Sequence, residues 1–199
     1  MGHIFVMMGK SAVGKDTLFE KIIRDEKLGL RRIVEYTTRP VRSGEVDGAD
    51  YHFVDANDMD KYRDSGKLIE ERCFDSVMGP WYYFNMDDGN IKLDKYDYLV
   101  ISTLQAFMSF RRYFGDDKVI PIYIAIDDRE RIHRAIKRED CQEEPRYSEM
   151  CRRFLADNKD YSDINLARAR ITADEWFVND YPDDCAEKIA DYILSHEKE

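Results

Sequence analysis

Gly9-Lys10-Ser11-Ala12-Val13-Gly14-Lys15-Asp16-Thr17 is the stretch on which the reading of this 199-residue chain turns. It follows a short apolar run, His3-Ile4-Phe5-Val6-Met7-Met8, and precedes Leu18, Phe19, Ile22 and Ile23 at helical spacing. Strand, glycine-rich turn and helix, in that order, are the context of a phosphate-binding loop. The two glycines let successive backbone N–H groups curl toward one point with no Cβ in the way. The first turn of the helix adds its unpaired N–H groups and the positive end of its dipole. Lys15 then reaches the β- and γ-phosphates as a point charge. The pattern predicts a triphosphate site formed by Gly9, Ser11, Ala12, Val13, Gly14 and Lys15, with Asp16 and Thr17 beside it. A Mg²⁺-facing hydroxyl is usual directly after the lysine; here that position is Asp16, and Thr17 comes next.

The length is that of one domain, with room for inserted subdomains. A formal charge of −10 argues against nucleic-acid and anionic-membrane partners, both of which need a basic face. Arginines are nevertheless clustered locally, as a phosphorylated ligand requires. Cys73, Cys141, Cys151 and Cys185 form no C-x-x-C pair, and the four histidines form no ligand-like group with them. Isolated reduced thiols and a cytoplasmic location are therefore expected. The six-residue apolar run near the start is too short for a membrane span and lacks the basic stretch of a signal peptide. Nothing in the sequence speaks to the oligomeric state.

Further along, Arg31 to Tyr36 reads as a second strand, followed by Arg39-Pro40-Val41-Arg42-Ser43-Gly44, a segment of turn-formers and charges. Tyr51 to Val54 is a short strand, and Asp55 to Ser65 a polar helix stopped by Gly66. Leu68 to Phe74 and Trp81 to Phe84 read as paired strands joined across Met78-Gly79-Pro80. Tyr98 to Ile101 is an inner parallel strand, Leu104 to Phe114 an amphipathic helix, and Val119 to Ile126 another strand. A charged helix over Asp128 to Arg138, a helix over Ser148 to Leu166, a strand over Trp176 to Asn179 and a closing helix complete the order. Strands alternating with helices predict an α/β fold, a parallel sheet flanked by helices. The strand-rich, aromatic stretch 35–93 interrupts the alternation and reads as an inserted subdomain.

At Thr37-Thr38-Arg39-Pro40-Val41-Arg42-Ser43-Gly44-Glu45-Val46-Asp47-Gly48-Ala49-Asp50-Tyr51-His52-Phe53 the chain resembles the guanylate kinase family, whose pattern is T-T-R-x-x-R-x-G-E-x-x-G-x-D-Y-x-F. The resemblance runs along nearly the whole chain and thins after about residue 75. It implies a P-loop NTPase-like core (1–34, 94–126 and 167–199), a nucleoside-monophosphate-binding insertion (about 35–93) and a helical lid (about 127–166). It implies transfer of the γ-phosphoryl group of ATP to GMP with Mg²⁺ as cofactor, and small nucleotides as partners. Arg39, Arg42 and Tyr51 would grip the GMP phosphate; two guanidinium forks and a phenol can saturate three phosphate oxygens. Glu70 matches the guanine-reading glutamate, since an acceptor-only carboxylate suits the N1–H and N2 amino donors of guanine. Glu71 beside it is the alternative for that part. Tyr83 resembles a second phosphate-contacting tyrosine, or is a core aromatic. Arg134, Arg138 and Arg153 resemble lid arginines over the ATP phosphates, with Arg39 catalytic beside them; pairing with Glu130 is the other reading of Arg134. Asn179, in Phe177-Val178-Asn179-Asp180, resembles the asparagine beside adenine.

Some positions depart from the family pattern. The fourth-strand L-D-x-D segment is matched by Val100-Ile101-Ser102-Thr103, without an acid, which leaves Thr103 as the substrate-side residue there. Phe84-Asn85 stands where a glycine and a small hydroxyl residue are expected, and Asp75 to Pro80 is longer than usual. Asp16 and Thr17 would meet Mg²⁺ if a carboxylate has moved from the fourth strand into the loop; the alternative is that Asp16 only stabilises the helix start. Two other functions fit the departures: a kinase of another phosphorylated acceptor such as ribose 1,5-bisphosphate, or a catalytically silent binding module. The retained glycines and Lys15 speak against the second.

Overall fold

The computed structural model describes residues 2–42, 44–76 and 79–196. Ser43, in the arginine-rich segment, and Met78, in the expected turn, lie outside them. Strand β1 (Ile4–Met8) is buried along its whole length, because it is the central strand of a parallel sheet covered on both faces. Its neighbours are β7 (Tyr98–Ile101) and β8 (Val119–Ala125), with β2 (Arg31–Arg32) and β9 (Trp176–Val178) outermost, so the order is β2-β7-β1-β8-β9.

The period-2 alternation of β1 divides the core. Ile4, Val6 and Met8 pack with Val100, Phe107 and Phe110 on one face. Phe5 and Met7 pack with Leu18, Ile22, Ile189 and Ile193 on the other. Helices α1 (Lys15–Ile23) and α7 (Pro182–His196) thus cover one face, and α3 (Leu104–Phe114) the opposite one. From β1 the chain passes through α1 on one face to β2, beyond β7, and from β7 it crosses through α3 on the opposite face to β8, on the other side of β1. A crevice therefore opens at the carboxyl ends of the strands, where ligands bind in open α/β sheets.

The expected strand over 31–36 is two strands in two sheets. After β2, Ile33 donates one more hydrogen bond to the Leu99 carbonyl (3.2 Å), and the chain then leaves the parallel sheet. It resumes as β3 (Tyr36–Thr37) in a second sheet of order β4-β3-β6-β5. There β4 is His52–Phe53, β5 Leu68–Ser76 and β6 Gly79–Met86, and β5 and β6 run antiparallel. A 3-10 turn (Ala56–Asp58) and α2 (Met59–Asp64) lie between β4 and β5.

Helix α4 (Asp128–Asp140) extends two residues past the expected end. The expected helix over 148–166 is broken into α5 (Tyr147–Asp160) and α6 (Asp163–Arg168). The break is stabilised locally. The Ser162 carbonyl accepts from the Asn165 and Leu166 amides, while the Asn165 side chain donates to the Lys159 and Asp160 carbonyls that end α5. Arg131 ties α4 to α5: it is fully buried, lies 3.7 Å over the Phe154 ring and donates to Asn158 Oδ1 at 3.0 Å. Among the described residues no helix is long and apolar enough to cross a membrane.

Candidate active site

The loop after β1 needs its glycines for two different reasons. Gly9 has φ +154°, and a Cβ there would lie 2.4 Å from the Ile124 carbonyl oxygen, so the neighbouring strand leaves no room. Gly14 has φ +92°, the left-handed region that favours glycine, and a Cβ would lie 2.4 Å from the Asn179 amide nitrogen. Between them Ala12 carries φ +64°, an unusual conformation for a side-chain-bearing residue. Asn179, at the end of β9, holds this shape: it is fully buried and donates to the Val13 carbonyl at 2.7 Å. Arg134 on α4 donates in turn to the Asn179 carbonyl at 3.1 Å and pairs with Glu130 at 2.9 Å. Asn179 therefore braces the loop from inside.

Lys15 Nζ donates to the Gly9 and Lys10 carbonyls at 2.8 and 2.9 Å. Burial lowers its pKa, with the Asp16 and Asp157 charges acting the other way. Two residues of the α5 region meet the loop's own donors. The Ser11 amide donates to Asp157 Oδ2 at 2.6 Å, and the Gly9 amide to the Tyr161 hydroxyl at 3.4 Å. A carboxylate oxygen thus accepts from a loop amide, the interaction that a phosphate oxygen makes in such a cradle.

The second sheet brings Arg39, Tyr51 and Tyr83 together. The Arg39 guanidinium is buried, donates through Nε to the Tyr83 hydroxyl at 3.1 Å and forks onto Glu45 at 2.6 and 2.7 Å. The Glu45 carboxyl, also bonded by the Arg42 amide, is held down to about 2 by that fork. Arg39 lies 5.1 Å over the Tyr51 ring, and the Tyr51 and Tyr83 rings meet edge to face at 5.8 Å. Arg42 is exposed, with its side chain in no ion pair among the described residues.

Glu70 is buried on β5, accepts from Asn85 Nδ2 at 2.9 Å and has its pKa raised by burial. Glu71, the alternative, instead pairs with Arg63 at 2.9 Å on the outer face of the strand. Thr103 caps α3 by accepting from the Ala106 amide at 3.1 Å.

Both sheets face one cleft of about 1040 Å³. Lys15 and Asp16 line one wall, Tyr51, Arg72 and Phe74 the other, and Thr103 the floor between them. Arg138 and Arg153 lie apart from this cleft, around a smaller pocket of about 100 Å³ beside Ser11 that Arg146 and Glu149 also line. Glu149 binds Arg152 and Arg153, which hold its carboxyl down to about 2.

Asp16 is exposed toward the cleft, and Thr17 is exposed one residue on. Among the described residues no cluster of three or more metal-type side chains occurs. One carboxylate with a neighbouring hydroxyl is still a fitting donor set for Mg²⁺, which takes one or two protein oxygens and completes its shell with phosphates and water.

Arg72, Glu35, Asp157 and Tyr161 were missed by the sequence reading. Arg72 had a signal, since alternation along β5 puts it on the face of Glu70. Asp157 had none, because its contact spans 146 residues.

The carboxyl-edge crevice and its braced glycine loop place the protein in the P-loop class of nucleotide-binding α/β proteins. A family model described as Guanylate kinase matches residues 1–193, and the chain belongs to that family. Over 79 residues (39% of this chain) it is 44% identical to a guanylate kinase of Rhodopseudomonas palustris, strain HaA2. Over 149 residues (72% of this chain) it is 27% identical to a guanylate kinase of Chromobacterium violaceum. The matched segments span 36% and 66% of those relatives. The crystal structure of guanylate kinase from Anaplasma phagocytophilum shares the fold, with a TM-score of 0.63 at 21% identity, covering 100% of this chain and 87% of that one.

Proposed function

We propose that the protein is an ATP-dependent kinase of GMP, converting ATP and GMP to ADP and GDP. The observation that carries this reading is the single cleft walled on one side by the braced glycine loop and on the other by the Tyr51-bearing sheet. A phosphate donor and a phosphorylated acceptor fit on opposite walls of one space. An oxygen of the GMP phosphate attacks the γ-phosphorus, the bond from that phosphorus to the β–γ bridging oxygen breaks, and ADP departs with the electron pair. No side chain acts as a nucleophile; positioning and charge neutralisation carry the step.

The loop amides and Lys15 bind the triphosphate; Arg39, Arg42, Tyr51 and Tyr83 hold the acceptor phosphate. For Arg39 this means sharing or releasing Glu45. Arg134, Arg138 and Arg153 neutralise charge on the transferred group as α4 and α5 draw over the loop, which also excludes water. Glu70 accepts from N1–H and the N2 amino group of guanine, and Thr103 lies on the acceptor side of the floor. Asp16, with Thr17, would supply oxygen ligands for Mg²⁺, which would neutralise phosphate charge. Asn179 acts by fixing the loop. A cytoplasmic location follows from the same reading.

A coupled ADP-release assay across GMP, dGMP, AMP, CMP, UMP and ribose 1,5-bisphosphate tests it. GMP and dGMP should give the highest kcat/KM; a higher value for ribose bisphosphate or AMP would refute the assignment of the acceptor.

A further inference from the structure

One face of β5 presents Glu70, Arg72 and Phe74 in alternation, opposite Asn85, Tyr83 and Trp81 of β6. Arg72 is the cleft-facing member beside Glu70. Its guanidinium lies between two carboxylates: it pairs with Glu35, which also lines the cleft, and its Nε is 3.3 Å from Glu70 Oε2. Arg72 Nε is buried and has no hydrogen-bond partner among the described residues. The Asn85 amide occupies Glu70 Oε1. Arg72 Nη2 also lies 3.4 Å from Glu70 Oε1, so a guanidinium and a carboxylate stand side by side where Arg72 lines the cleft.

We propose that Arg72 is a base-reading residue, donating to O6 of guanine while Glu70 accepts from N1–H and the N2 amino group. This rests on the GMP kinase reading above and specifies how that site selects its base. Guanine presents an acceptor followed by two donors along this edge, and a guanidinium followed by a carboxylate presents the complement. Adenine presents a donor where Arg72 donates and a lone pair where Glu70 accepts, so both positions are mismatched. Two carboxylates around one guanidinium leave the cluster net negative, which suits an uncharged base edge and disfavours a second phosphate group. Glu35 and Glu70 also fix the direction of the fork, so little side-chain freedom is lost on binding.

The test compares wild type with Arg72→Met on GMP and on 6-thioguanosine monophosphate, which keeps N1–H and the N2 amino group but replaces O6 with a weakly accepting sulfur. The variant should lose about 10- to 100-fold in kcat/KM on GMP, mainly through KM, as expected when one good polar contact to a base is removed. It should lose far less on the thio analogue, so that the wild-type preference for GMP over that analogue collapses, with the KM for ATP unchanged. Equal losses on both acceptors, or a preference that survives, would overturn the proposal while leaving the kinase reading intact. Wild-type protein inert on GMP would instead overturn both. Should the Met variant fail to fold, Arg72→Lys serves the same comparison. It keeps a cation between the carboxylates without the planar fork, and should retain only part of the preference; full retention, or equal losses on both acceptors, would contradict the assignment.

Discussion

Lys15 and Glu45 each show how a single residue's environment bears on the site. The Lys15 ammonium bonds two carbonyls of its own loop, so the charge is already aimed at the centre of the cradle. Lys15→Met should lower kcat by about 100- to 1,000-fold, the scale of removing one preorganised donor from a transition state. Steady-state rates at saturating ATP and GMP would reveal it, with the melting temperature measured alongside.

Glu45 matters to stability. Its carboxyl is held down to about 2, below the usual carboxylate range, because Arg39 stabilises the ionised form. A depressed carboxyl contributes stability that is fully present above about pH 4.5 and is lost as the pH falls toward 2. Wild type should therefore melt above Glu45→Gln at pH 6, with the gap closing between pH 4.5 and 2. A gap that stays constant across that window would contradict the account. At this scale Lys15, Arg39, Tyr51 and Glu70 stand out as candidates in the sequence because each sits in a local pattern. The pairing of Arg72 with Glu35 was not legible, because it depends on how β5 faces the segment ahead of β3.

Helix α5 carries the clearest element-level consequence. Its Asp157 holds the Ser11 amide at 2.6 Å, the donor that a phosphate oxygen needs, and lies near Lys15. A phosphate oxygen bound at that amide would compete with this carboxylate. Asp157→Asn removes the charge competing for the amide, worth about 1 kcal/mol for one such bond, and should tighten ATP binding roughly five-fold. Calorimetric titration with a non-hydrolysable ATP analogue measures it; weaker binding by the variant would mean that Asp157 supports the loop instead of competing for it.

Most elements were legible from periodicity, and the exceptions include the α5–α6 break and the run ahead of β3. Asn165 caps the carbonyls at the end of α5 and splits what reads as one helix. The run from Arg31 to Tyr36 is uniformly strand-like, and nothing in its composition says that the chain changes sheets at Val34.

At the scale of the whole molecule, the parallel sheet and the β5–β6 sheet face each other across one cleft, and this juxtaposition underlies the functional reading. The alternation of strands and helices made the parallel sheet legible, and the aromatic interruption marked the second sheet. Their mutual orientation was not legible, since it is set by packing such as Ile69 of β5 against the α3 side of the core.

The most direct measurement of the central claim follows the label from ATP marked at its γ-phosphate, incubated with protein, Mg²⁺ and GMP. The account predicts that the label passes to the β-position of GDP, with one ADP formed for each GDP and little free phosphate. Label found only in inorganic phosphate, or ADP formation that does not depend on GMP, would contradict it.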